Sequence, residues 1–193
     1  MGIVLTVSGA LWLILELGLI ARDRQRGTGG TGRDRGTRAV NFILIVVAIL
    51  VADALTAVIG KHSPLRIPGA GPYGWPLIAG LVVIWLGLVI RVWSIVVLGR
   101  SFRTTVEVDV AQPVMSRGPY RWVRHPSYTG VLLIAAGYGL ALSTWPGLLV
   151  CLVLPEVAIL RRIGVEEAEL ARVIGDPYRK YRDHTKRLIP GLW

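Results

Sequence analysis

Five apolar runs separated by polar segments organise the chain. The first three run from Gly2 to Ala21, Val40 to Gly60 and Trp75 to Gly99. Each is long enough to cross a bilayer as a helix, which takes about 20 residues. Two shorter runs follow, Pro126 to Thr144 and Trp145 to Leu160. Trp145-Pro146-Gly147 is a turn signal between them, so they predict a tight helical hairpin. Beyond Arg161 the pattern turns polar but stays helical, with Glu166, Glu167 and Glu169 early in a helix that ends near Gly175. Asp176-Pro177 then reads as an N-cap and first-turn proline of another helix. Ser101 to Val110 alternates polar and apolar and reads as a short extended segment. The expected fold is therefore all-α: an integral membrane protein with five transmembrane helices, the last two a tight hairpin, plus a cytoplasmic C-terminal helical segment. Residues 1–193 form one domain, with three membrane helices in 1–99 and the chemistry in 100–193.

The stretch Gly118 to Gly130 stands out between these runs. It is polar, aromatic and basic, and His125-Pro126 marks a sharp change of course. Proline suits the first turn of a helix and holds the residue before it extended. A loop should end at His125 and a helix begin at Pro126. Arg121, Arg124, Trp122 and Tyr120 read as an interfacial anchor. An anchor does not account for a histidine, a serine and a tyrosine at the mouth of the next helix.

Charge adds a topology. The chain is 53% hydrophobic, with mean hydropathy +0.56 and a formal charge of +10. Of 22 Lys and Arg, six lie in 22–38, five in 100–124 and eight in 161–187. These blocks flank apolar runs, so positive-inside bias and attraction to anionic membrane lipid account for the charge, and nucleic acid is not an expected partner. The basic blocks and the C-terminus belong in the cytoplasm, with Lys61 to Pro76 and the N-terminus outside. The location is a multi-pass membrane, the cell inner membrane. The N-terminus lacks a basic n-region, so the first run reads as a retained helix.

Four charges fall inside runs, one of them Glu156, about a turn from Leu160 and the arginines that follow. Glu16 is close enough to Arg22 to pair with it, and Arg91 can snorkel to the interface. Asp53 reads as a structural residue. Cys151 is the only cysteine, which excludes an intrachain disulfide and a cysteine metal cluster, and no metal is implied. It reads as a packing residue. Gly27 to Gly32 matches G-x-G-x-x-G formally, but no strand or βαβ unit surrounds it, so it is a low-complexity loop.

Arg162 and Glu166 share a helix face four residues apart, which by itself describes an ordinary surface pair. Taken in order, however, Gly118-Pro119-Tyr120, Arg124-His125-Pro126-Ser127-Tyr128, an apolar hairpin, Arg162-x-x-x-Glu166 and Gly175-Asp176-x-Tyr178-x-x-Tyr181 resemble the isoprenylcysteine carboxyl methyltransferase family. The likeness covers roughly residues 100–190.

The resemblance implies an integral membrane methyltransferase using S-adenosyl-L-methionine. It implies cofactor contacts from Tyr120, His125, Pro126, Ser127 and Tyr128, an acidic cofactor ligand in Glu166, and a segment over the adenosyl group that includes Gln112, Val114 and Met115. Gln112 stands where the eukaryotic enzymes have histidine. Arg162 matches the arginine that holds the acceptor carboxylate. The cofactor needs an apolar or aromatic slot, acceptors for its hydroxyls and ammonium, and donors for its carboxylate. An ionised carboxylate acceptor needs alignment rather than a strong base. The expected acceptor is a prenylated cysteine or another lipophilic acid entering from the bilayer. Methylation of a small thiol, with His125 or a tyrosine as base, is the alternative enzyme reading. A membrane scaffold or lipid-binding protein is the non-enzyme reading, and no obligate protein partner is expected.

Overall fold

A computed structural model describes residues 2–25, 37–99, 102 and 114–193. Six helices follow one another: α1 (Gly2–Gln25), α2 (Thr37–Val58), α3 (Trp75–Leu98), α4 (Pro126–Ala141), α5 (Trp145–Val173) and α6 (Asp176–His184). A 3-10 turn, Gly118–Arg121, precedes α4. Among the described residues there is no β-strand, only two isolated bridges, Arg66 with Thr144 and Val123 with Lys186. Three helices are long and apolar enough to cross a membrane: Ile3–Gln25, Ala39–Val58 and Trp75–Leu98. The extended reading of Ser101 to Val110 falls, apart from Phe102, outside the described residues.

α3 and α4 pack back to back through glycine. Gly80 faces Gly137, and Gly87 faces Gly130, so the two helices run antiparallel. A Cβ on Gly80 would lie 2.5 Å from the Gly137 carbonyl oxygen, and one on Gly130 would lie 2.7 Å from the Gly87 oxygen. Only hydrogen side chains permit this approach, which is how membrane helices maximise contact where burial from water gives no drive. Ile84, Leu88, Val131 and Ile134 fill the core beside the glycines, with Trp12 of α1 and Ile159 and Ile163 of α5.

Leu142–Thr144 connects α4 to α5, with Ser143 at a left-handed φ of 59°. The turn therefore comes earlier than Trp145-Pro146-Gly147 suggests. Trp145 and Pro146 form the first turn of α5 because proline is preorganised for that position. Likewise Asp176 is the first residue of α6, and its cap is Gly175 at φ 72°. α5 is one helix of 29 residues, so the apolar run and the polar helix predicted after Arg161 are continuous. At about 1.5 Å per residue it is longer than a hydrocarbon core of about 30 Å is thick.

The two ends of the bundle separate by charge. Leu65 and Ile67, in the α2–α3 loop, bond the α4–α5 turn through Trp145 and Ser143. At the other end Arg22 donates to the Phe102 carbonyl at 2.9 Å, and residues 122–125 bond residues 186–187. The basic blocks, where described, share this second end.

Two intramembrane charges are placed otherwise than the chain order suggests. Glu16 pairs not with Arg22 but with Arg91, whose Nε and Nη2 donate to its two oxygens at 2.6 and 2.8 Å. Arg91 does not snorkel; it is buried. Arg22 turns to Asp23 and Phe102 instead. Desolvation explains both corrections. An intramembrane arginine that meets a carboxylate on a facing helix gains a bidentate pair where water cannot compete. Asp53 accepts from the Tyr138 hydroxyl at 3.0 and 2.9 Å, and Cys151 is buried.

Candidate active site

The stretch 118–125 is held against the C-terminal segment by backbone. Arg124 and His125 donate their N–H groups to Lys186 and Arg187 at 2.8 and 3.0 Å. Tyr181 donates its hydroxyl to the Tyr120 carbonyl at 2.6 Å. Pro126 then starts α4, and Tyr128 and Thr129 return their N–H groups to the His125 carbonyl. The His125 and Tyr128 rings stack at 5.6 Å.

α5 supplies the facing wall. Arg162 Nε donates to the Tyr128 hydroxyl at 2.6 Å, and that hydroxyl donates to Glu166 Oε2 at 2.8 Å. Tyr128 thus links the two α5 residues that sequence spacing paired. Glu166 has a side chain 29% exposed and its other oxygen 3.9 Å from His125 Nδ1, whereas Arg162 is buried. The arginine is enclosed by the bundle, and the acid, one turn further along α5, is the more exposed of the two.

Glu167, one residue on, is a different kind of acid. Arg124 Nε donates to it at 2.9 Å, His125 Nε2 lies 3.3 Å away, and Arg187 Nε donates at 3.3 Å. Burial alone would raise its pKa, but hydrogen bonds and charge from His125 and Arg124 outweigh that and hold it at about 2. It is an anchor for the loop. Arg124 completes the clamp by donating to the carbonyls of Arg182 and Thr185.

The other expected site residues divide. Ser127 gives its hydroxyl to Arg91, which donates at 2.8 Å, so it belongs to the frame of the helix bundle. Tyr120 is buried, its hydroxyl 3.4 Å from the Ser94 carbonyl, and burial raises its pKa. Pro126 is buried in the first turn of α4. Val114 and Met115 are half-buried on the approach to the 3-10 turn, and Gln112 lies outside the described residues.

Two clefts lie beside the site, and the smaller one opens on the α5 wall. A small one, about 80 Å³, is lined by Arg162, Tyr128, Arg91, Glu16, Trp12 and Asn41. A larger apolar one, about 430 Å³, runs between α1, α2, α3 and α4 past Leu5, Ile49, Ile84 and Ile134 to Asp53 and Tyr138. Trp12, Ile45 and Val131 line both. Sequence reasoning missed Arg91, Glu16, Glu167, Trp12 and Asn41. Glu16 and Arg91 were detectable as intramembrane charges, but nothing in the spacing paired them.

A family profile described as phospholipid methyltransferase matches residues 75–176, just over half of the chain. The chain belongs to the phospholipid methyltransferase family. It is 29% identical over 128 residues to protein-S-isoprenylcysteine O-methyltransferase A of Arabidopsis thaliana, covering 65% of each chain. It is 26% identical over 161 residues to a probable protein-S-isoprenylcysteine O-methyltransferase of rice, covering 81% of this chain and 83% of the relative. The fold is similar to the solved structure of a eukaryotic intramembrane Ras methyltransferase, isoprenylcysteine carboxyl methyltransferase. There the TM-score is 0.58 at 22% identity, covering 85% of this chain and 54% of that one. The resemblance drawn from the loop and α5 motifs is borne out by these matches.

Proposed function

We propose that this protein is an S-adenosylmethionine-dependent methyltransferase that O-methylates the carboxylate of a lipophilic acceptor, a prenylated cysteine being the acceptor its relatives' names suggest. The observation that carries this is the chain Arg162–Tyr128–Glu166. It joins a membrane-side guanidinium to a water-side carboxylate within one turn of α5. An acceptor reaching Arg162 through the apolar clefts and a cofactor held at Glu166 would meet at Tyr128.

The described residues suit such a cofactor in kind. Glu166 is a partly exposed acceptor for an ammonium or ribose hydroxyl. The stacked His125 and Tyr128 rings offer an aromatic face. The Tyr178 hydroxyl is buried without a partner among the described residues, a donor awaiting an acceptor. S-adenosylmethionine, when bound, supplies a methyl group on a sulfonium sulfur, which departs as a neutral thioether as the carboxylate oxygen takes the methyl. Arg162 orients the acceptor carboxylate and shares its charge with Tyr128, so the nucleophilic oxygen keeps its electron density. Glu167, held by Arg124, Arg187 and His125, fixes the loop so that His125 and Tyr128 keep their alignment. The apolar walls exclude water. A 430 Å³ apolar cleft favours a long-tailed acceptor over a small thiol. We place α4 and α5 across the bilayer as the fourth and fifth spans, with the loop and C-terminus in the cytoplasm of a cell whose inner membrane holds the protein.

Calorimetry of detergent-purified protein with S-adenosylmethionine or its demethylated product tests the cofactor; absence of binding at millimolar ligand overturns the reading. Glu166→Ala should abolish most of that binding. Arg162→Ala should spare it while lowering turnover a hundredfold or more, the usual scale for a lost positioning group. Labelled methyl transfer to a farnesylcysteine derivative, with a simple thiol alongside, tests the acceptor.

A further inference from the structure

Two buried polar atoms in the small cleft have no partner among the described residues: the Trp12 indole N–H and the Asn41 side-chain oxygen. Trp12 is only 5% exposed. Both residues line the cleft that holds Arg162. Unpaired donors and acceptors are rare inside proteins, and in an apolar layer water does not satisfy them. One of these atoms donates and the other accepts, and they come from different helices, α1 and α2. A trans amide fits that demand, because its N–H and C=O point in opposite directions and can engage two walls at once.

The order of groups along the clefts narrows the ligand further. Arg162 lies in the small cleft, Trp12 lines both clefts, and beyond it the lining is mostly apolar, with Thr6 and Ser8 its polar side chains before Asp53 and Tyr138. A molecule laid along this path presents a carboxylate, then an amide, then a tail. We propose that Trp12 and Asn41 form an amide-reading subsite, and that this protein accepts lipophilic acids whose carboxylate is separated from the tail by an amide, as in an N-acyl amino acid. The inference rests on the proposed acceptor pocket and adds the residues that select within it. Trp12 donates to the amide carbonyl, Asn41 accepts from the amide N–H, and Arg162 holds the carboxylate.

The test compares N-palmitoylglycine with its ester isostere, O-palmitoyl glycolate, by calorimetry on detergent-purified protein saturated with S-adenosylhomocysteine. The ester keeps the carbonyl and loses the N–H. The amide should bind about tenfold more tightly, since the ester leaves the Asn41 oxygen unpaired. Asn41→Leu should erase the preference, and Trp12→Phe should weaken both ligands severalfold. Equal affinities in the unaltered protein, or a preference that survives Asn41→Leu, overturn the subsite. The first comparison changes only the ligand, so it holds even where a variant folds poorly. Methyl transfer from labelled cofactor separates the two proposals. Amide-selective binding without transfer to any acid overturns the enzyme reading alone. Transfer to amide and ester acids alike, at equal affinity, overturns the subsite alone.

Discussion

Glu167 illustrates how one side chain ties the stability of the fold to pH. Its pKa in the folded chain is about 2 against an ordinary 4.5, because His125 and Arg124 hydrogen-bond its charged form. Between those values the unfolded chain binds more protons than the folded one. The contribution of Glu167 to stability is therefore full above about pH 4.5 and is lost as pH falls toward 2. Thermal melts in detergent should show this loss as a steepening decline below pH 4.5, and Glu167→Gln should flatten that part of the profile. At neutral pH Glu167→Gln should destabilise by about 3 kcal/mol, the scale for a buried pair that loses one partner. A profile unchanged by the substitution would show that Arg124 and His125 do not act through this acid. Glu166, its neighbour, was the residue named by spacing and motif. Glu167 was not, because a helix turns about 100° per residue and only the packed loop shows which face meets Arg124.

At the scale of elements, the third helix matched its apolar run closely, Trp75 to Gly99 in expectation and Trp75–Leu98 in the structure. The loop-to-helix change at Pro126 was equally legible, since proline chemistry is local. What joins α3 to α4 was not legible. Glycines recur seven apart at 80 and 87 and at 130 and 137, but a single chain does not announce that its two pairs interlock. Gly130→Leu should separate the helices, because even its Cβ would come within 2.9 Å of Arg91 backbone and side-chain atoms. The same shift would disturb the Arg91–Ser127 contact at the mouth of the site. Destabilisation of at least about 2 kcal/mol is expected from overpacking, with cofactor binding weakened in parallel. Gly9→Leu meets open space and should leave the melting temperature nearly unchanged. The Glu16–Arg91 pair supports the same junction from α1. Glu16→Gln should cost about 3–5 kcal/mol by leaving Arg91 uncompensated, and Glu16→Leu combined with Arg91→Met should cost less than Glu16→Gln alone.

For the whole molecule, basic residues and contacts point to one architecture by independent routes. Charge placed residues 22–38, 100–124 and 161–187 on one side before any contact was known. The structure brings Arg22 to Phe102 and residues 122–125 to residues 186–187 at one end, and Leu65 to Trp145 at the other. Contacts give the pairing of ends, and the positive-inside rule predicts the direction across the membrane. It can be read with one engineered thiol at a time. Cys151 is buried and is the only cysteine in the chain, so Cys151→Ala provides a clean background. Lys61 and Asp183 are exposed at opposite ends. In intact cells a membrane-impermeant maleimide should label Lys61→Cys and spare Asp183→Cys, which should label only after the membrane is opened. The reverse pattern would put the Arg162–Tyr128–Glu166 chain on the outer face, away from the cytoplasmic supply of S-adenosylmethionine, and the proposed reaction would lose its methyl donor.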